Sequence, residues 1–164
     1  MEINKDLFDK LFEQAKENPR MRQNYDQRTS PADKSQRMLN ALLPGTVVPI
    51  HRHPNSTETV ICLCGRMEEV IYSLTHSTST KGDGSDVYCG MNAKEMPMGM
   101  DAQDVVRPRM ELVETERILL CPKEGRYGCQ IPKGAWHTVE VIEPSVIFEA
   151  KDGKYGEDGS ESLG

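Results

Sequence analysis

GTVVPIHRHPNSTETVICLCG, residues 45–65, is the stretch that decides how this chain folds. His51 and His53 stand two residues apart, so on a β-strand both side chains point to the same face of the sheet. A turn at Pro54 follows, and Glu58 then begins a run of Val, Ile and Thr that is typical of a strand. The stretch therefore predicts a hairpin that brings one carboxylate beside two imidazoles.

A third histidine, His137, follows the turn residues Pro132 and Gly134 and leads into another apolar strand. Three of the four histidines of the chain fall in these two segments. Imidazole nitrogens together with a carboxylate oxygen suit a divalent transition metal such as Fe, Mn, Ni or Zn. The pattern therefore indicates a candidate metal site.

Length and composition limit the classes of protein to consider. The 164 residues suit one domain. A net charge of -6 argues against binding nucleic acid, and no apolar run approaches the ~20 residues that cross a membrane. The N-terminal residues lack the pattern of a secretory signal. Five cysteines without paired CxxC spacing are interpreted as free thiols. We therefore expect a cytoplasmic protein that contacts neither nucleic acid nor membrane.

The pattern of apolar residues changes at Gly45. Helical spacing predicts an amphipathic helix over 4–17 with Asn4 as N-cap, and a second helix over 31–42. After Gly45, short runs rich in Val, Ile, Thr and Leu predict antiparallel strands. These predicted strands cover 46–51, 58–63, 68–74, 111–120, 128–131, 136–142 and 145–150. The predicted organisation is an N-terminal helical segment (1–44) packed on a β-barrel (45–155) with an insertion (76–110), and a flexible tail (156–164).

The motif residues resemble a known superfamily. The first segment matches the first cupin motif at Gly45, His51, His53, Glu58 and Gly65, and the second resembles the second cupin motif at Pro132, Gly134 and His137. Arg126 and Val141 depart from the second motif, which usually has glycine and often has asparagine there. Flanking segments are similar to the WbuC-type cupin-fold metalloproteins. These segments begin at Pro19, Gln36, Trp136 and Glu149.

The resemblance implies a mostly β fold, a double-stranded antiparallel β-barrel or jelly roll, with an N-terminal helical segment. It implies one divalent metal ion held by His51, His53, Glu58 and His137, and it implies a homodimer. Genes of this family often lie beside surface-polysaccharide genes, so the resemblance also suggests polysaccharide biosynthesis, with a sugar or nucleotide-sugar derivative as substrate.

Two functional hypotheses remain open at this point. The first is a metal-dependent enzyme, an isomerase or epimerase or an Fe(II) dioxygenase-like protein. The alternative is a non-catalytic, metal-dependent module that binds or senses a small molecule. For either, we expect a small polar, anionic ligand to contact Arg20, Arg22, Asn24 and Lys151. Glu149 and Tyr155 are the predicted catalytic acid/base groups.

The two cysteines nearest the first motif carry a separate prediction. Cys62 and Cys64 have the same parity as Glu58 along the predicted strand, so both are expected to face the barrel interior. We interpret them as thiols that act as small hydrophobic residues rather than as metal ligands.

Overall fold

The computed structural model of the chain describes residues 2–77 and 109–163. Within these ranges there is one α-helix, α1 (Lys5–Glu17), a short 3-10 helix (Pro122–Glu124) and eight β-strands. The strands are β1 (Arg22–Asp26), β2 (Ser35–Leu42), β3 (His51–Arg52), β4 (Glu58–Ser77), β5 (Arg109–Leu120), β6 (Gly128–Ile131), β7 (Trp136–Asp152) and β8 (Glu161–Ser162). Most of the expected 76–110 insertion, including its methionine-rich part, lies outside the described residues.

The helix α1 confirms the prediction made from its periodicity. The side chain of Asn4 accepts a hydrogen bond from the backbone N–H of Leu7 at 3.1 Å, which satisfies one of the free donors of the first turn. Leu11 and Ala15 are buried on its inner face. No helix in the described ranges is long and apolar enough to cross a membrane.

The strand β7 is the centre of the antiparallel sheet. On one edge its second half pairs with β2, and β2 in turn pairs with β1. On the other edge β7 pairs with β4 along most of its length. The strand β3 joins the first half of β7 through a pair between His51 and His137, and β8 adds to the free edge of β3. Among the described strands β3 therefore pairs with β7 and β8 and not with β4, so the hairpin predicted from the sequence is wrong. The result is a curled antiparallel sheet with one N-terminal helix, which confirms the fold class expected from the sequence.

A bend in the β4–β7 ladder gives the sheet its curl. Register shifts lie between Cys62 and Met67, opposite Pro144. Gly65, at the centre of the shift, has a positive φ of 95°, and a Cβ atom there would collide with the Pro144 carbonyl oxygen and with Ser145. Only glycine fits this position, because it alone tolerates both the backbone conformation and the close approach.

The prediction of a second helix over 31–42 is wrong, because Ser35–Leu42 forms the strand β2. Met38, Leu39 and Leu42 have a spacing that also suits a helix, which explains the error. In the fold, β2 hydrogen-bonds to a strand on each side, and this tertiary pairing overrides local propensity. The strand β1 was not predicted, since its sequence RQNYD carries no apolar pattern.

Two hydrophobic clusters stabilise the first compact unit, which comprises Met1–Tyr72 and Glu114–Gly164. One cluster fills the inside of the curled sheet and includes Cys62, as expected. The other lies under α1 and includes Cys64 at its margin. The prediction that Cys64 faces the same interior is therefore wrong, because the register shift after Cys62 changes which side chains point inward. Burial raises the pKa of the Cys62 thiol to about 12, so this thiol stays protonated.

The second compact unit is Ser73–Val113. Its described residues are the end of β4 and the start of β5, where the Thr75 hydroxyl donates to the Glu111 carbonyl oxygen at 3.3 Å.

Candidate metal centre

The four side chains expected to bind metal lie together. His51 in β3 and His137 in β7 are directly paired, Glu58 is the first residue of β4, and His53 follows β3. The Nε2 atoms of His53 and His137 both lie 3.2 Å from the Oε2 atom of Glu58. One potential ligand atom from each of the four residues lies within 4.8 Å of all the others. Glu58, His53 and His137 are buried, while His51 is half-buried.

The second nitrogen of two of these imidazoles has a backbone partner that fixes the ring. The Nδ1 atom of His51 lies 3.0 Å from the Pro49 carbonyl oxygen, and that of His137 lies 3.1 Å from the Ala135 carbonyl oxygen. A carbonyl oxygen only accepts, so both Nδ1 atoms donate, and Nε2 of each neutral ring carries a lone pair. This arrangement is the one that orients histidines for binding a metal through Nε2.

These residues fit a divalent transition metal. Lone pairs of imidazole nitrogens and a carboxylate oxygen repel one another at close range unless a proton or a metal cation lies between them, and one metal cation can serve all four ligand atoms at once. Metal–ligand bonds of about 2.0–2.2 Å hold two ligand atoms at most about 4.4 Å apart. The spread of 4.8 Å in the structure is a few tenths of an ångström wider, so small side-chain movements suffice to close it. Three nitrogens and one oxygen suit Fe, Mn, Ni or Zn, without distinguishing among them.

Protonation favours metal binding at two of the ligands. Burial and the neighbouring His137 lower the pKa of His51 to about 4, so this ring is neutral at pH 7. Burial favours the uncharged form of Glu58, but hydrogen bonds that His137 and His53 donate through Nε2 when no metal is bound, together with the charge of Lys151, outweigh it and hold its pKa below the ordinary range. A bound metal would take the place of those donated protons. A neutral imidazole and an ionised carboxylate are the forms that bind metal.

The segment before β8 supports His53 from behind. The Ser160 hydroxyl lies 2.7 Å from Nδ1 of His53, and Asp158 accepts a hydrogen bond from the Gln36 side-chain amide at 3.0 Å. Lys151 lies 3.5 Å from Asp158 and 3.0 Å from Nε2 of His53. A metal bound through Nε2 would take over that lone pair, and Lys151 would keep Asp158 as its partner. The sequence predicted a flexible tail over 156–164, whereas the structure has β8 in this segment.

A cavity of about 220 Å³ opens beside the metal ligands. All but one of the ten residues predicted for metal, substrate or catalysis line it: Arg20, Arg22, Asn24, His51, Glu58, His137, Glu149, Lys151 and Tyr155. The exception is His53, which lies behind them. Ligand pockets for drug-sized molecules usually measure about 300–1,000 Å³, so this cavity suits a smaller molecule.

Glu149 lies in β7, between Met38 of β2 and Val60 of β4. Its Oε2 atom accepts a hydrogen bond from the Asn40 side-chain amide at 2.8 Å. Burial and the charge of Glu58 raise the pKa of Glu149 to about 8. A carboxyl group with this pKa exchanges its proton readily near neutral pH.

Arg20 and Arg22 give one side of the cavity a positive charge. Within the part of the chain that the structure describes, neither guanidinium lies within salt-bridge distance of a carboxylate. Burial and the charge of Arg20 lower the pKa of Arg22, which shows that the two charges repel each other. Arg37, by contrast, binds Asp33 at 2.6 Å. Two guanidinium groups at a cavity, neither held by a described carboxylate, favour an anionic ligand.

Sequence reasoning missed three residues of this region. Asp158 and Ser160 lie in the segment predicted to be a flexible tail. Glu69 lines the cavity and is buried, with 1% of its surface exposed. The alternation of Glu58, Val60 and Cys62 pointed to Glu68 as the inward residue, and only the register shift in β4 turns Glu69 inward instead.

Sequence comparisons give one partial family match. Residues 3–81, just under half of the chain, match a family described as "Domain of unknown function (DUF6016)". No curated protein matches the chain in sequence.

Several solved structures are similar to this one. TT1209 from Thermus thermophilus is 19% identical, with a TM-score of 0.49, and the match covers 93% of this chain and 98% of that one. The capsular polysaccharide assembling protein CapF from Staphylococcus aureus is 15% identical over 85% of this chain, with a TM-score of 0.47. An oxalate decarboxylase from Lactobacillus farciminis is 15% identical over 87% of this chain, with a TM-score of 0.44.

The extent of these matches differs from one protein to the next. The chain spans 29% of CapF and 30% of the oxalate decarboxylase. Identities this low do not extend to activity, and the fold described here rests on the strand pairing alone.

Proposed function

We propose that this protein is a metal-dependent cupin enzyme of the WbuC type that acts on a small, polar, anionic molecule. The observation that supports this proposal is the group of three imidazoles and one carboxylate, with their ligand atoms within 4.8 Å, beside a cavity lined by further polar side chains. A six-coordinate metal with four protein ligands has two open coordination positions for a second molecule. As a Lewis acid, the metal would polarise an oxygen atom of that molecule.

The cavity residues have separate roles in this proposal. Arg20 and Arg22 bind the anionic group of the substrate, with Asn24 beside them. Glu149 holds or releases a proton at its carboxyl group, and Asn40 fixes the position of that group. Lys151 balances the negative charges of Glu58 and Asp158.

Tyr155 is the second acid/base candidate. It lines the cavity with 54% of its surface exposed, and the guanidinium of Arg28 lies 4.8 Å from its ring centroid. In this proposal its hydroxyl contacts the substrate from the solvent-exposed side of the cavity.

The cavity volume favours a sugar-sized substrate. About 220 Å³ lies below the range of about 300–1,000 Å³ that is usual for pockets of drug-sized ligands. A monosaccharide derivative fits this space, whereas a nucleotide sugar would place its nucleotide outside. We therefore propose a sugar derivative as the substrate. From the resemblance described in the sequence analysis we also propose that the protein is a homodimer with a role in polysaccharide biosynthesis, and from its composition that it acts in the cytoplasm. Size-exclusion chromatography with light scattering tests the dimer.

The metal assignment is tested first. Elemental analysis of the purified wild type should show one divalent transition metal per chain, and the variants His51→Ala and His137→Ala should lose it. Unchanged metal content in both variants would reject the ligand assignment.

Turnover assays then separate an enzyme from a binding module. Sugar phosphates, nucleotide sugars and keto acids are offered to protein loaded with Fe, Mn, Ni or Zn. Turnover that Glu149→Gln abolishes, with metal content unchanged, supports the enzyme. Tight binding without turnover under every metal supports the sensing module instead.

A further inference from the structure

Glu69 is a carboxyl group in an apolar environment. It lies on the inward side of β4 between Met67 and Ile71 and pairs with Val139 of β7. Met67, Glu69 and Ile71 are all buried. A polar group buried in this way lowers stability unless it has a hydrogen-bond partner.

The Oε2 atom of Glu69 has no such partner among the described residues. Within these residues, three have a buried side-chain nitrogen or oxygen without a hydrogen bond: Ser56, Glu69 and Trp136. Glu69 alone among these three lines the cavity. The Glu69 side chain thus lines the cavity with one carboxyl oxygen unpartnered, and a small rotation of the carboxyl group would let a molecule in the cavity supply the missing hydrogen bond.

The distance from Glu69 to the metal centre suits one small molecule. Ile71 pairs with His137, and Glu69 is two residues from Ile71 on the same side of the strand. Two residues of strand span about 7 Å. Glu69 thus lies about 7 Å along the strand from the residue opposite His137, a spacing that a ligand of three or four carbon atoms with its terminal oxygens can span.

Glu69 is uncharged at neutral pH. Burial raises its pKa well above the ordinary value, and the charges of Glu149 and Glu58 raise it further. Among the residues described, no lysine, arginine or histidine lies within salt-bridge distance of it. An uncharged carboxyl group has one O–H donor and acceptor oxygens, so it matches a group that both donates and accepts.

We propose that Glu69 is a second binding point of the cavity, where its carboxyl group exchanges hydrogen bonds with a hydroxyl group of the molecule bound at the metal centre. The ligand class is then a hydroxy acid with a further hydroxyl group, such as a sugar acid. This rests on the proposed function and adds the substrate class to it. A second carboxylate at this end would be repelled by the charge of Glu58, while the anionic end would be bound by the metal; Arg20 and Arg22 line the same cavity.

Lactate and glycerate form the matched pair of probes, because they differ by one hydroxyl group at the third carbon. Erythronate, one carbon longer, tests the reach. Calorimetry on metal-loaded wild type should show glycerate or erythronate binding about tenfold more tightly than lactate, the usual effect of one buried hydrogen bond. Glu69→Leu should remove this preference while lactate affinity stays unchanged. Glu69→Gln should retain most of it, since an amide also donates and accepts.

Glu68→Gln is the matched control, because Glu68 is the neighbouring residue and forms a salt bridge with Arg117 at 2.7 Å. It should leave the preference unchanged. The infrared difference spectrum of wild type minus Glu69→Gln at pH 7 should contain the band of one protonated carboxyl group, because the band of Glu149, whose pKa is about 8, is common to both proteins and cancels. This readout needs no ligand.

Each remaining outcome decides against a specific statement. Equal preference in wild type and Glu69→Leu overturns the role of Glu69, and so does absence of the infrared band. Failure of all three acids to bind metal-loaded wild type overturns the proposed ligand class. Failure of wild type to bind any metal refutes the metal centre instead, which keeps the two proposals separate.

Discussion

Replacing Ser160 by alanine removes the hydroxyl group that lies 2.7 Å from Nδ1 of His53. We expect this change to weaken metal binding by about 10- to 100-fold, the usual effect of losing such a supporting partner. At His51 and His137 the corresponding partners are backbone carbonyl oxygens, which no substitution removes. Ser160 is therefore the position where support of a ligand from behind can be tested by mutation.

The assay is competition for Zn²⁺ or Co²⁺ against a coloured chelator. Ser162→Ala is the matched control, because Ser162 is an exposed serine of β8 whose backbone pairing with His51 survives the change. Ser160→Thr keeps a hydroxyl group and should stay within about threefold of wild type. Equal affinity for Ser160→Ala and Ser162→Ala would refute the reasoning, because the hydroxyl group would then contribute nothing to the orientation of His53.

Three further predictions concern stability. Gly65→Ala should lower the free energy of unfolding by about 2–6 kcal/mol, because it adds strain at positive φ and a collision with β7. Gly134→Ala also has positive φ but open space around it, so it should lower the free energy of unfolding by only about 1 kcal/mol. Urea denaturation of both variants compares the two losses. The free energy of unfolding of the wild type, compared with that of Glu69→Gln, should fall as pH rises above the ordinary glutamate pKa of 4.5. The reason is that the folded state holds the Glu69 proton more tightly than the unfolded state does. Urea denaturation of both proteins across a pH series measures this difference. Asn4→Ala should cost about 1 kcal/mol through loss of the N-cap, seen as a lower Tm.

Local patterns predicted the parts of the fold that local interactions determine. The helix α1 has an apolar stripe and a capping residue, and the strand at 128–131 has turns on both sides, so both were predicted correctly. The segment 31–42 was predicted as a helix because its apolar residues fit either period. Its conformation depends on pairing with β7, which lies more than a hundred residues away, and no local pattern carries that information.

The residues of the candidate site also fall into those that local sequence predicts and those that it does not. The spacing of His51, His53 and Glu58 was informative because these residues lie within eight positions of the sequence, and the structure brings them beside His137. No local sequence pattern indicated that Ser160 and Glu69 belong to the candidate site. Contact between Ser160 and His53 spans 107 residues, and the inward position of Glu69 depends on a register shift that strict alternation cannot anticipate.

The register of β7 has a consequence for how the metal centre assembles. Three of its ligands lie within eight residues of the sequence, but His137 meets Glu58 across 79 residues of chain. The strand β3, which carries His51, pairs with β7 and β8, and the strand β4, which begins at Glu58, also pairs with β7, so both positions depend on the same long-range pairing. Such pairing closes long loops and is a slow step in folding, so the complete set of ligands forms only together with the sheet. Metal affinity thus reports how far the sheet has formed.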